Sequence, residues 1–329
     1  MAIPKKNDAK IGFGIIGTGM WAGTHARACK ANPHVEIVGL ADIREGAAES
    51  FARTHGLDVP TFTDYRKLLA MDGLNAVIIV TPNNVHAPIS IAAAEVGKHI
   101  LCQKPMATTL ANAEAMVAAV EKAGVRNMVA YTKRFVKTSP FLQYILRSED
   151  LGHVYHIRAF YFQNWLSNPA IPRIWRLQRD MSGTGVLGDL GAHVIDLVQY
   201  LVGEDIVRVT AMMKTFVTER PSLTDGKKKE TVDVEDAVMF GAEFENGAMG
   251  VFQASRNATG HPDHWRVEID AEKGAVIYDG RGSTFAEQGI YADASIQVSA
   301  STGLARHAGW VELKVPARWP YANRSSGDE

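Results

Sequence analysis

The chain has little of what marks secreted, membrane-spanning or nucleic-acid-binding proteins. Only two cysteines, Cys29 and Cys102, occur in 329 residues. They supply no disulfide framework, and nothing points to an oxidising compartment. Both lie in apolar surroundings and read as small core residues. Charge of one sign is also missing. The 35 basic and 36 acidic residues leave a formal net charge of −1, which removes the electrostatic case for a nucleic acid or a membrane surface as partner. The single basic run, Lys227-Lys228-Lys229, is followed by Glu230 and reads as a solvated loop. Long apolar runs are absent as well. Ile11–Ile16 is too short for a signal h-region or a span, and no other window approaches membrane length. A cytoplasmic protein is expected. There is no internal repeat and no low-complexity tract.

What is present is an ordinary globular composition. Hydrophobic residues make up 46% and charged residues 22%, enough to build a real core, and the length allows two domains. Strand and helix patterns alternate over residues 1–131. Ile11–Ile16, Val35–Ala41, Ala76–Val80, His99–Cys102 and Asn127–Ala130 read as strands. Trp21–Ala31, Arg44–His55, a segment through Ala92–Ala94, and Leu110–Ala123 read as helices. That alternation predicts a doubly wound parallel sheet of the dinucleotide-binding kind.

Residues 132–329 change rhythm. Val154–Phe162 alternates as a strand, and a loop rich in Asn, Pro, Arg and Trp runs from Asn164 to Thr184. A helix follows. Val207–Phe216, Ala237–Phe244, Gly247–Gln253, Trp265–Ile269, Ala275–Tyr278 and Trp310–Val315 then read as strands. Asn246-Gly247 between two of them is a hairpin signal. An α+β domain with a large, mainly antiparallel sheet is expected, with a frayed tail from Tyr321 on.

The segment Gly188-Asp189-Leu190-Gly191-Ala192-His193 opens the helix of that second domain. Asp189 and His193 are four residues apart and share one face. Leu187, Leu190, Val194, Leu197 and Leu201 form the neighbouring apolar stripe. A carboxylate and an imidazole at the edge of such a stripe suit proton transfer. A capping or solvated Asp–His pair fits the same spacing. Asp196, one turn on, reads as structural.

Four further groups follow strands of the first domain. Gly17-Thr18-Gly19-Met20-Trp21-Ala22 succeeds the first strand and opens the first helix. Gly17 permits a tight turn, Gly19 lets backbone approach a pyrophosphate, and Ala22 allows helix-on-strand packing. The phosphates would sit at a helix N-terminus, where free N–H groups and the dipole favour anions. Asp42 lies 23 residues beyond Gly19, where a carboxylate accepts from adenosine ribose hydroxyls. It favours NAD over NADP and is also compatible with capping the next helix. Arg44 keeps NADP open, since it could stack on adenine or pair with a phosphate. Thr81-Pro82-Asn83 follows the third apolar strand and faces the cofactor crevice, or is a plain proline turn. His86 reads either as a cofactor neighbour or as a cap. Gln103-Lys104-Pro105 ends another strand in the same crevice, where Lys104 either meets a substrate oxygen or is an exposed strand-end lysine.

Together, Gly17-Thr18-Gly19, Asp42, Thr81-Pro82-Asn83, Gln103-Lys104-Pro105, Lys133-Arg134-Phe135 and Gly188 to His193 resemble the Gfo/Idh/MocA oxidoreductases. This family includes inositol, glucose and glucose–fructose oxidoreductases. The resemblance spans nearly the whole chain and implies a Rossmann domain followed by an open-faced α/β domain whose sheet mediates dimers or tetramers. It implies a catalytic set of Lys104, Asp189 and His193, with NAD or NADP as cofactor and no metal. Substrate contacts would fall near Lys133, Asn164, Trp175 and Arg176, and the substrate would be a sugar or polyol.

Two departures stand out. Gln103 replaces the glutamate common before the Lys-Pro pair, and the chain stops short of helices that many relatives carry. The expected reaction is reversible oxidation of a secondary alcohol. His193 would take the hydroxyl proton, Lys104 would stabilise the developing charge, and Asp189 would orient the substrate or the imidazole. The competing readings are a catalytically idle NAD-binding sensor or assembly protein, a metal hydrolase using Asp189 and His193 with His261 or His264, and an enzyme that recycles a tightly bound cofactor between two sugars.

Overall fold

Short apolar strands punctuated by glycine turns build the first half of the protein. A computed structural model describes residues 10–148, 150–281, 294–300, 309–317 and 319. The chain divides after Ala130 into two compact units, each described by itself.

In the first unit the strands are β1 (Ile11–Ile16), β2 (Val35–Ala41), β3 (Thr61–Phe62), β4 (Ala76–Ile79), β5 (His99–Cys102) and β6 (Asn127–Val129). They form one parallel sheet in the order β3-β2-β1-β4-β5-β6. The helices are α1 (Met20–Ala31), α2 (Ala47–His55), α3 (Tyr65–Leu69), α4 (His86–Glu95) and α5 (Leu110–Ala123). β3 and α3 were not expected. They are two and five residues long, too short to show a period. The second helix begins at Ala47 rather than Arg44, because Gly46 precedes it with a left-handed φ of 72°.

All four residues of β4 are buried, the pattern of a central parallel strand covered on both faces. Cys29 and Cys102 lie in the core. Burial pushes their thiols up to about 11 and about 12 respectively, which keeps them protonated.

The second unit carries α6 (Thr138–Arg147), β7 (Val154–Phe162), α7 (Arg179–Ser182) and α8 (Ala192–Val202), then β8 (Ile206–Lys214), β9 (Glu219–Pro221) and β10 (Lys229–Thr231). After these come β11 (Ala237–Phe244), β12 (Met249–Ser255), β13 (His264–Ala271), β14 (Gly274–Arg281), β15 (Ser295–Ala300) and β16 (Val311–Leu313). Among the described residues they form an eight-stranded sheet, β16-β15-β14-β13-β7-β12-β11-β8, with β9 and β10 as a separate pair. Every pairing in the large sheet is antiparallel except β7 with β12. Gly247 turns the β11–β12 hairpin at φ 85°, as the Asn-Gly pair predicts. The expected tail from Tyr321 lies outside the described residues.

One face of this sheet packs on α6 and α8. Leu142 and Ile145 from α6, with Val194, Leu197, Val198 and Leu201 from α8, are buried against Ile157, Phe252 and Val267. The stretch Arg179–Val202 is long and apolar enough to cross a membrane by length and composition alone, contrary to expectation. Half of it is buried inside the unit, and packing on the sheet accounts for its apolarity. The helix also starts differently from its expected form. Leu187–Gly191 makes a wide π-type turn, with the Ala192 N–H reaching the Leu187 carbonyl, before regular α-helix begins. The opposite face of the sheet leaves Met212, Met239, Met249 and Val251 exposed.

Candidate active site

Register places the first unit's candidate residues in a row. Ile16 pairs with Ala41 on one side and Ile79 on the other, and Ile79 pairs with Cys102. Because the strands are parallel, Gly17, Asp42, Val80 and Gln103 all emerge from one edge of the sheet. This edge includes the β1–β4 junction, where strand order reverses and doubly wound sheets bind ligands.

Gly17 has φ 88°, and a Cβ there would stand 2.7 Å from the Val80 carbonyl oxygen, so the turn admits glycine alone. Gly19 contrasts with it, since a Cβ there would meet nothing within 4 Å. Gly19 is the N-cap of α1, which has no side-chain cap and no acidic residue in its first turn. The first turn of α1 therefore carries no competing carboxylate or side-chain cap, as an anion site at a helix N-terminus requires. Met20, 70% exposed, and Trp21 begin this helix, and Ala22 is buried beneath it. The cradle fits a dinucleotide pyrophosphate.

Asp42 is buried, and Thr18 and Arg44 hold its carboxylate. Its Oδ2 accepts from the Thr18 N–H at 2.9 Å and the Thr18 hydroxyl at 2.8 Å. The Arg44 backbone N–H and Nε donate to Oδ1, and Nη2 donates to Oδ2, each at 3.0 Å. Burial works against the charged form, but the bonds from Arg44 and Thr18 outweigh it and hold the carboxyl well below the usual carboxylate range. The capping alternative fails, because Gly46 and not Asp42 caps α2. The Arg44 side chain, largely exposed, lies on Asp42. Thr81 and Pro82 are half-buried and Asn83 is buried; Pro82 precedes a 3-10 turn, Asn83–Val85.

Two histidines bracket Lys104. Gln103 Nε2 lies 2.7 Å from His25 Nε2, and Gln103 Oε1 accepts the Lys104 N–H at 3.3 Å. On the other side, His86 is fully buried. Its Nδ1 stands 2.9 Å from the Pro105 carbonyl oxygen and its Nε2 3.1 Å from that of Thr81. His86, expected beside the cofactor or as a cap, thus lies between two strand-end loops, and the one N–H of its neutral ring donates to one of the two carbonyls. Burial lowers its pKa, the two carbonyls raise it, and Lys104 lowers it further, with a net fall. Lys104 itself is half-buried.

In the second unit, His193 is 6% exposed. Its ring packs edge-on to Tyr131 and Tyr161, with centroids 6.2 Å and 6.0 Å away. Lys133 is buried, with its ammonium 4.8 Å from the ring centroids of both Tyr161 and Trp265. Tyr161 therefore joins the imidazole to a cation held on aromatic faces. Asp189 lies on the π-type turn, with its Oδ2 3.5 Å from Arg256 Nη1. Asn164 sits just past β7, half-buried, with its carbonyl accepting from Ser167 N–H at 3.0 Å. Trp175 and Arg176 form part of a 3-10 turn, Trp175–Leu177, where the Arg176 guanidinium stacks 4.4 Å over the Trp175 ring. His261 and His264 stand with their Nδ1 atoms 3.2 Å apart, and His264 Nε2 is 3.3 Å from Asp279. Asp196 pairs with Arg134, a structural role.

Residues 11–131 match the family model described as an oxidoreductase family with an NAD-binding Rossmann fold, and residues 141–277 match the GFO/IDH/MocA C-terminal domain. The chain belongs to the Gfo/Idh/MocA oxidoreductase family. It is similar to levoglucosan dehydrogenase of Pseudarthrobacter phenanthrenivorans, with 34% identity covering 82% of this chain and 73% of the relative. Myo-inositol 2-dehydrogenase of Thermotoga maritima is 27% identical over 81% of this chain and 75% of its own length. A solved levoglucosan dehydrogenase in complex with NADH and L-sorbose superposes with a TM-score of 0.85 at 32% identity, covering 97% of this chain and 83% of the other. As a Gfo/Idh/MocA oxidoreductase, the chain carries an NAD-binding Rossmann unit and is a dehydrogenase.

Sequence reasoning missed His25, Arg256 and Glu235. Each reaches its partner through a long-range contact for which no spacing or motif gives a signal.

Proposed function

We propose that this dehydrogenase interconverts a secondary alcohol and a ketone on a sugar, a sugar derivative or a cyclic polyol. The observation that carries the reading is a nearly buried imidazole, His193, set between two tyrosines one turn after a carboxylate, Asp189, that is 18% exposed. Similarity to dehydrogenases of levoglucosan and myo-inositol supports the substrate class. Bound NAD supplies the hydride acceptor, or the donor in the reverse direction. Gly17, Gly19, Met20 and Trp21 would hold its pyrophosphate, and Asp42 its ribose. His193 takes the hydroxyl proton as general base. Lys104 donates a hydrogen bond to the same oxygen and stabilises its developing charge. Asp189 orients the substrate or the imidazole. Asn164, Trp175 and Arg176 offer polar and aromatic substrate contacts, whereas Lys133, expected as another, is buried with its ammonium over Tyr161 and Trp265.

The test is a panel of sugars and polyols with NAD and with NADP, read by nicotinamide absorbance. Turnover of at least one polyol with NAD is expected. Lys104→Ala should lower kcat by about 10²–10³ with NADH affinity retained. A Lys104→Ala enzyme of near-normal rate would remove the assignment. Asp42→Ala should narrow the NAD preference by about tenfold, the loss of one charge-assisted hydrogen bond. Equal use of both cofactors by the unaltered enzyme would contradict Asp42's role. No observation favours the idle sensor. We also propose that a second copy of the chain covers the exposed sheet face of Met212, Met239, Met249 and Val251.

A further inference from the structure

We infer that Arg256 is the positioning residue for Asp189, fixing the direction of its carboxylate on the π-type turn. The inference rests on the reading above, in which Asp189 works on the substrate. Arg256 follows β12 directly and is fully buried. Its Nη1 is 3.5 Å from Asp189 Oδ2 and 3.4 Å from the Arg176 carbonyl oxygen, and its Nη2 donates to the Glu235 carbonyl at 3.2 Å. Trp165 lies under the guanidinium at 5.9 Å.

The same few residues hold the turn itself. The Val186 N–H donates to the Glu235 carbonyl at 3.0 Å, and the Leu187 N–H donates to Glu235 Oε1 at 2.9 Å. At Gly185 a Cβ would lie 2.0 Å from the Glu235 carbonyl oxygen and 2.9 Å from Arg256 Nη2. Backbone and guanidinium therefore press directly against one another, with no room for a side chain between them. The position of Asp189 relative to the sheet is set through this contact.

The charges around Arg256 are Asp189, Asp236 and Glu235, with Arg220 beyond Asp236. Burial lowers the Arg256 pKa, and the three carboxylates pull it back, Asp189 most of all. A guanidinium stays protonated through such an opposition, which an ammonium would not do as reliably. Asp236 is committed elsewhere, since its Oδ2 accepts from the N–H groups of Phe216 and Val217. Glu235 is committed to Leu187. Arg220 spends its guanidinium on the carbonyls of Leu166 and Asn168. Asp189 is thus the partially exposed end of a buried charge group, and Arg256 is its ion-pair partner there. A positive charge at this distance favours the carboxylate over the acid.

The test compares the full-length wild type, Arg256→Gln, Arg256→Lys and Asp189→Asn, measuring kcat, KM, NADH affinity and the pH profile of kcat/KM on a polyol substrate. Arg256→Gln should lower kcat about 10–100-fold with NADH affinity unchanged. Its acidic limb should move up by about one pH unit, because protons bind the carboxylate and the nearby imidazole more tightly once the positive charge is gone. Arg256→Lys should return the limb to its wild-type position while kcat stays about tenfold low, since an ammonium lacks the planar fork. If Arg256→Gln keeps the wild-type kcat and pH profile while Asp189→Asn loses activity, the inference is overturned and the functional reading stands. If Asp189→Asn is fully active, the functional reading itself falls. Should Arg256→Gln fail to fold, Arg256→Lys decides, and an unchanged kcat overturns the inference.

Discussion

His25 Nε2 accepts a hydrogen bond from the side-chain amide of Gln103, 2.7 Å away. The amide's oxygen is taken by the Lys104 N–H, so its nitrogen must face the ring. The ring nitrogen accepts only when the imidazole is neutral. Burial agrees, lowering the His25 pKa to about 4. The pair links α1, which opens the pyrophosphate cradle, to the backbone of Lys104. An uncharged partner at residue 103 suits a neutral histidine, which gives glutamine a physical sense at this position.

A pH dependence follows from this pair. The unfolded chain protonates His25 near its ordinary value of about 6.5, while the folded chain resists until about 4. Between these values the unfolded state binds more protons, so stability rises with pH, and acidification through that window costs stability. Urea midpoints across the window should fall for wild type. In Gln103→Glu the slope should flatten, because a carboxylate draws the imidazole pKa back up. Equal slopes for the two proteins would show that the pair does not set this titration.

Gly17 and Gly19 should respond oppositely to alanine. Gly17→Ala puts a Cβ against the Val80 carbonyl in a left-handed conformation, a strain of about 1–3 kcal/mol before any clash is relieved. A lower melting temperature is expected. Gly19→Ala adds a methyl in open space and should leave melting unchanged while weakening NADH binding about tenfold or more. Unimpaired NADH affinity in Gly19→Ala would mean that the pyrophosphate does not approach there.

The exposed sheet face offers a test of self-association. Met212 pairs across strands with Met239, and Gly241 with Val251, so these apolar side chains share one surface. Such a patch is what the proposed second copy would cover. Sedimentation at micromolar concentration should show a dimer or tetramer for wild type, and monomers for a Met239→Glu/Val251→Glu double variant. A monomeric wild type would refute the assignment of this face.

The sequence by itself determined most of the longer elements and the row of site residues. β1, β2, β5, β7, β11 and α5 fall within a residue or so of the spans their periodicity predicts. Gly17, Asp42, Thr81 and Gln103 were legible as strand-end residues because parallel strands deliver their carboxyl ends to one edge. Local chemistry suffices for this, since a strand's period and a turn's glycine depend on neighbours a few residues away. α6 was passed over although Leu142, Ile145 and Leu146 repeat at helical spacing, because its Thr138-Ser139-Pro140 opening reads as a turn.

The tertiary structure decided what the site residues touch. The π-type turn beneath Asp189 exists because Glu235, far along the chain, takes the N–H groups of Val186 and Leu187. Arg256 meets Asp189, and Lys133 is enclosed by Tyr161 and Trp265, only once β7, β12 and β13 lie side by side. His86 and His25 acquire their partners in the same way. Such contacts follow from which apolar faces bury together. Burial is a property of the whole assembled sheet, and no spacing in the chain records it.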